Sequence, residues 1–273
     1  MESTSIRPPS ITPCGNSMSA KKIMPKEYLK PPIVEKVCQF LLTPDTPWDV
    51  TIPGQIYDEV KQEFTRKEPG VLRRVRITPP PQGAPEVEKT DGVRFFTDDK
   101  KKLIQLTPRN LAINCLKPCP TWDEFKLMIE KVCDILTDAT QFESFQAIKL
   151  IYVNRIEIPT SSEKKTKIEK YFNFRPFLGQ NLPEDMLAFV VGCLLPFNEY
   201  RDICDVNLTS LLLEKPEPEQ GAFLLKLDYH PAKPGAIPVT DAAEWLKTAH
   251  ENIVKTFEGC ITEPLREIFK VVE

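Results

Sequence analysis

The segment IKLIYVNRIEI, Ile148–Ile158, sets the strongest constraint on the fold. Ile148, Leu150, Tyr152, Asn154 and Ile156 fall on one side of an extended chain, and Lys149, Ile151, Val153, Arg155 and Glu157 fall on the other. Other strand-like runs are Val71–Ile77, Val93–Thr97, Leu103–Leu106, Leu111–Leu116, Leu187–Leu195, Ile203–Leu213 and Ala222–Tyr229. Their connections are short and rich in Pro or Asp. A parallel pair needs a crossover of about a dozen residues or more, so these spacings predict antiparallel neighbours.

Helical periodicity interrupts the alternation. In TWDEFKLMIEKVCDIL, Thr121 and Glu124 stand at capping-box spacing. Phe125, Met128, Ile129, Val132, Cys133 and Leu136 then share one helical face. TDAAEWLKTAHENIVKTF starts at Thr240 or Asp241, and Asp241 with Glu244 predicts a second capping box. Leu246, Ala249, Ile253 and Phe257 continue its apolar stripe. A short helix follows from Thr262, with Pro264 in its first turn. Weaker patterns predict helices over Gly54–Lys67 and Ser162–Phe172.

The class is therefore α+β, with curved antiparallel sheet packed on long amphipathic helices. The first half reads strand, helix, three or four strands, long helix. The second reads long strand, short helix, three strands, long helix. This order suggests two pseudo-repeated halves, over residues 28–142 and 143–273, behind a disordered leader over 1–27.

Composition narrows the function classes. With 36 basic and 39 acidic residues, the chain lacks the basic excess of a dedicated nucleic-acid binder. Cysteines such as Cys38 and Cys193 sit in apolar runs, which predicts buried free thiols in a reducing cytoplasm. The Ser- and Pro-rich leader has no apolar core of a signal peptide. No run reaches the roughly 20 apolar residues of a membrane span. A cytoplasmic location with no membrane contact is expected. Glycine is scarce at 10 residues, and proline abundant at 27. Prolines gather in Thr78–Pro85, Glu214–Gly221 and His230–Pro238, which read as stiff connectors.

No catalytic set emerges. His230 and His250 are the two histidines, and neither stands in a triad spacing with Cys or Ser. Cys115 and Cys119, with Cys133 beyond, lack the second close pair of a zinc site. Asp45, Glu59 and Lys61 match the letters of a metal-dependent nuclease core, but Glu59 and Lys61 fall on a predicted helix. Gly-rich phosphate loops and a nucleophile elbow are absent, so no cofactor is expected. Trp48, Trp122 and Trp245 stand near element boundaries, where core packing explains them. Arg73, Arg74 and Arg76 on one strand, and Lys100, Lys101 and Lys102 in a turn, are the candidate phosphate contacts; Lys164, Lys165, Lys167 and Lys170 form a further basic run.

The segment YLKPPIVEKVCQF, Tyr28–Phe40, fits a helix or a strand by periodicity alone. It resembles the opening Y-x-x-P-P-I-V-E motif of a sporadically distributed family of uncharacterised bacterial proteins of about this length. Leu103–Phe125, Ile148–Pro159 and Ala249–Phe269 carry further matching pieces. The resemblance implies a two-part α+β protein and marks Tyr28–Phe40 as a strand. It brings no activity and no site residues. Pro31 and Pro32 then read as a strand entry, and Glu35 as a charged position near a sheet edge or in a salt bridge.

Two functions stay open. One is a non-enzymatic interaction or regulatory protein that binds another protein, expected to be encoded nearby, as an accessory component of a bacterial system of the antiviral-defence type. The other is a nucleic-acid-binding factor or nuclease.

Overall fold

The computed structural model describes residues 26–76, 86–159, 167–183, 185–211 and 220–272. The connector Thr78–Pro85, Lys164, Lys165, Cys14 and most of Glu214–Gly221 lie outside these, as does the leader up to residue 25.

The fold is α+β. The strands are β1 (Ile33–Leu42), β2 (Arg66–Arg76), β3 (Glu86–Phe96), β4 (Lys102–Thr107), β5 (Asn110–Leu116), β6 (Ser144–Pro159), β7 (Val190–Phe197), β8 (Asp202–Leu211), β9 (Gln220–Pro231) and the short β10 (Ile237–Pro238). They form one open sheet in the order β2-β3-β4-β5-β1-β6-β9-β8-β7, with β10 on β6, and every pairing is antiparallel. The helices are α1 (Ile52–Val60), α2 (Trp122–Thr140), α3 (Ala242–Cys260) and α4 (Glu263–Phe269).

Tyr28–Phe40 does feed a strand, but β1 lies at the centre, between β5 and β6. Glu35 is thus not at a sheet edge; its Oε1 accepts a hydrogen bond from Asn114 Nδ2 on β5 at 2.9 Å. Lys26 and Glu27, at the end of the expected leader, are pinned to the C-terminal segment. Lys26 pairs with Glu263 at 3.0 Å, and Val272 N–H donates to Glu27 O at 2.9 Å.

Helix α2 has the expected capping box: Thr121 Oγ1 accepts from Glu124 N–H, and the Glu124 carboxylate accepts from Thr121 N–H at 2.8 Å. Phe125, Ile129, Val132, Cys133 and Leu136 are its buried side. The second capping box does not form. Asp241 ends a 3-10 turn over Val239–Asp241 with φ −94° and ψ −9°, so it is already helical, whereas a cap residue must be extended to turn its side chain onto the first free N–H groups. Helix α1 stops at Val60, and the chain turns so that β2 starts at Arg66; Phe64 is still buried. Of the helix expected over Ser162–Phe172, the described part is a single 3-10 turn, Ile168–Lys170, because Phe172 breaks away to bridge Ile261.

The core lies on one face of the sheet. Alternate residues point into it: Cys38, Phe40 and Leu42 from β1, Ile148, Leu150 and Ile156 from β6, Leu225, Leu227 and Tyr229 from β9. Helices supply Ile56, Phe125, Ile129, Leu246 and Ile253. Each fully buried Leu, Ile or Phe contributes about 1.5–3 kcal/mol, which is why period-two alternation fixes the face each strand presents.

Candidate protein-binding face of the sheet

The opposite face of the sheet carries the intervening residues. Val37, Ile151, Val153 and Leu224 are half-buried there and take no part in the core cluster. Strand register arranges this face in rows. One row runs Phe96, Leu103, Asn114, Val37, Ile151, Asp228, Asp205, Leu194 across β3, β4, β5, β1, β6, β9, β8 and β7.

Two buried acceptors flank the aliphatic pair at the middle of this row. Asn114 gives its Nδ2 to Glu35, which fixes the amide orientation and leaves Oδ1 to accept from another group. Asn114 Oδ1 and Asp228 Oδ1 are buried without a hydrogen-bond partner among the described residues. Asp228 Oδ2 accepts from Lys226 Nζ at 3.2 Å. Asp205 lies directly across from Asp228 and accepts from Asn207 Nδ2 at 2.6 Å. Like charges directly opposite one another destabilise a ladder, and an unpaired buried acceptor costs about 1–3 kcal/mol. The two acceptors lie three strand spacings apart, or about 14 Å. Between them Val37 and Ile151 offer an apolar strip.

Of the predicted phosphate contacts, Lys100, Lys101 and Lys102 do not converge. Lys100 Nζ sits 5.6 Å from the centre of the Phe96 ring and 3.5 Å from Glu68. Lys102 turns to the other side and pairs with Glu63 at 2.6 Å. Lys101 is exposed and lines a cleft of about 430 Å³ with Glu63, Asp98 and Asp99. The backbone positions of Arg73, Arg74 and Arg76 lie toward the far end of β2, about 23–33 Å along the strand from Arg66, at about 3.3 Å per residue. In register, Arg74 faces Glu88, Arg76 faces Glu86, and Arg73 faces Lys89. The open face mixes Arg94, Lys149, Arg155 and Lys226 with Glu35, Glu157, Asp205 and Asp228, so neither sign prevails on it.

The histidines are structural in their contacts. His230 Nδ1 bonds Pro231 O at 2.9 Å. His250 Nδ1 shares a 2.8 Å hydrogen bond with Tyr152 Oη, and its ring stacks on Trp122 at 4.1 Å. Beneath them Lys36, 7% exposed, donates to Pro120 O at 2.6 Å. Burial, then the nearby Lys36 charge, lowers the His250 pKa to about 4 against the opposing pull of Asp123. Burial likewise lowers that of Lys36, against the pull of Cys119, Cys115 and Glu124. These groups form a packed polar cluster between β1, β6, α2 and α3.

Cys119 Sγ donates to Cys115 O at 3.6 Å, and burial pushes the Cys115 thiol up to about 12. The seven described cysteines are all free, and among the described residues no three His, Cys, Asp or Glu side chains form a metal-ligand set. Of the nuclease-like letters, Glu59 lies on α1, and Lys61 just beyond it pairs with Asp58 at 2.9 Å.

Alternation could place Asn114 and Asp228 on the outer face. Their alignment beside Val37 and Ile151 depends on long-range register, for which the sequence holds no local signal. No protein-family model and no curated protein matches the chain. No described helix is long and apolar enough to cross a membrane.

Proposed function

We propose that this chain is a non-enzymatic interaction or regulatory protein that binds another protein on the open face of its sheet. The observation that carries the reading is the row Asn114, Val37, Ile151, Asp228, in which two unpartnered buried acceptors flank an apolar strip. The occupant that fits is an amphipathic helix of the partner. A helix with its side chains is about 10–12 Å wide, so an apolar stripe flanked by Lys or Arg would span the strip and reach both acceptors. The mixed charge of this face favours a protein over a phosphate backbone.

The resemblance to sporadically distributed bacterial proteins supports an accessory role in a larger cytoplasmic system, with antiviral defence as the setting that a patchy distribution points to. The same reading takes the two halves as repeats of one plan. In it, a curved sheet wraps the long amphipathic helices α2 and α3, and β1 and β6 are equivalent strands that meet at the centre.

The test is co-expression with each product of the adjacent genes, followed by purification and titration. One product should co-elute. Ile151→Lys should abolish its binding, and Asp228→Asn should weaken it about tenfold, or about 1.4 kcal/mol. Failure of every neighbour to bind, or full binding by Ile151→Lys, would sink the reading. Salt-dependent binding of RNA or DNA would instead favour the nucleic-acid alternative.

A further inference from the structure

The two edges of the sheet differ in chemistry. At one edge, β2 begins Arg66, Lys67, Glu68, Pro69, and charge and proline of this kind block pairing with another chain. At the other edge, β7 reads VVGCLLPF and carries no charge. Val190 is 72% exposed and Leu194 63%. Just before the strand, Leu187 is 96% exposed.

The backbone groups of β7 that no other described strand pairs can be assigned. Ser210 N–H donates to Phe189 O at 3.0 Å, and Phe189 N–H donates to Ser210 Oγ at 2.8 Å. Phe189 therefore turns its backbone toward β8, and so do the odd-numbered residues that follow. Val190, Gly192 and Leu194 turn theirs outward. Pro196 has the same parity, and a proline on an edge strand faces its missing N–H away from the sheet, which agrees.

From this we infer that β7 pairs antiparallel with β7 of a second copy of the chain, centred on Gly192. In that register Val190 faces Leu194 of the second copy, Gly192 faces Gly192, and Leu194 faces Val190. All three pairs are of the hydrogen-bonded kind, and Pro196 is left out of them. Shifting the centre to Cys193 would set Pro196 against Val190 and lose the bond its N–H cannot make. Self-pairing meets no like charge. One isologous contact covers, in both copies, the edge that no other described strand pairs, and closes the assembly. The open faces of the two sheets then run on as a single surface.

The test is sedimentation velocity and light scattering on the full chain. The wild type should be a dimer. Val190→Lys with Leu194→Lys sets like charges opposite each other at both pairs and should give a monomer with an unchanged circular dichroism spectrum. Val190→Lys with Leu194→Glu sets each Lys against a Glu of the second copy and should restore the dimer. A monomeric wild type overturns the inference, whether the edge is then taken by another protein's extended segment or by another part of this chain. A dimer that survives the Lys–Lys variant also overturns it. A dimer lost in both double variants overturns this register.

Discussion

At His250 the surroundings set a pH dependence. Its folded pKa of about 4 lies below the ordinary 6.5, so the folded state binds fewer protons between these values than the unfolded chain does. Stability should therefore be full above pH 6.5 and fall as pH drops toward 4, by roughly 3 kcal/mol in total. Carboxylates titrate in the same window, so the informative measurement is a difference. Urea midpoints of wild type and His250→Phe, compared at neutral and mildly acid pH, should converge as the pH falls. A second residue-scale prediction concerns Glu258, whose side chain is 1% exposed. It accepts from Arg266 Nε at 2.8 Å and from Tyr28 Oη at 2.6 Å. Arg266→Ala strands a buried carboxylate and should cost about 3–5 kcal/mol. Tyr28→Phe removes one bond to a charged group and should cost about 2 kcal/mol. Equal urea midpoints for the two variants would contradict this ranking.

Among the elements, α2 and α3 have the same length of 19 residues but begin differently. Thr121→Ala removes a real cap and should lower stability by about 1 kcal/mol. Asp241→Ala removes none, because Asp241 makes no side-chain cap bond, and should stay within about 0.5 kcal/mol. Thermal unfolding of both variants separates the two cases. The contrast also shows what local pattern conveys. The spacing of Asp241 and Glu244 equals that of Thr121 and Glu124, yet a cap depends on the backbone angle of the residue before the helix. A preceding 3-10 turn set that angle at Asp241. Strand faces were legible because burial on one side imposes alternation, as in Ile148–Ile156. Neighbour order was not, because Val37 and Ile151 meet across a long stretch of intervening chain. The same limit hid the candidate face: Asn114 and Asp228 are ordinary polar positions until register sets them in one row.

Over the whole molecule, the meeting of β1 with β6 is the join between the residues before and after α2. The ladder pairs Ile33 through Leu42 with Asn154 through Phe145. Among the described residues neither strand has another neighbour on that side; β10, beside Phe145 and Ser144, lies on the flank of β6 that β9 occupies. Cleavage of the backbone in the turn between Thr140 and Ser144 would thus leave two pieces, each holding one side of this ladder. Such pieces, made as separate polypeptides in one cell, should find each other and reconstitute the fold as a one-to-one complex. This would make the chain a natural split reporter, with its break point at a site the sheet itself has chosen.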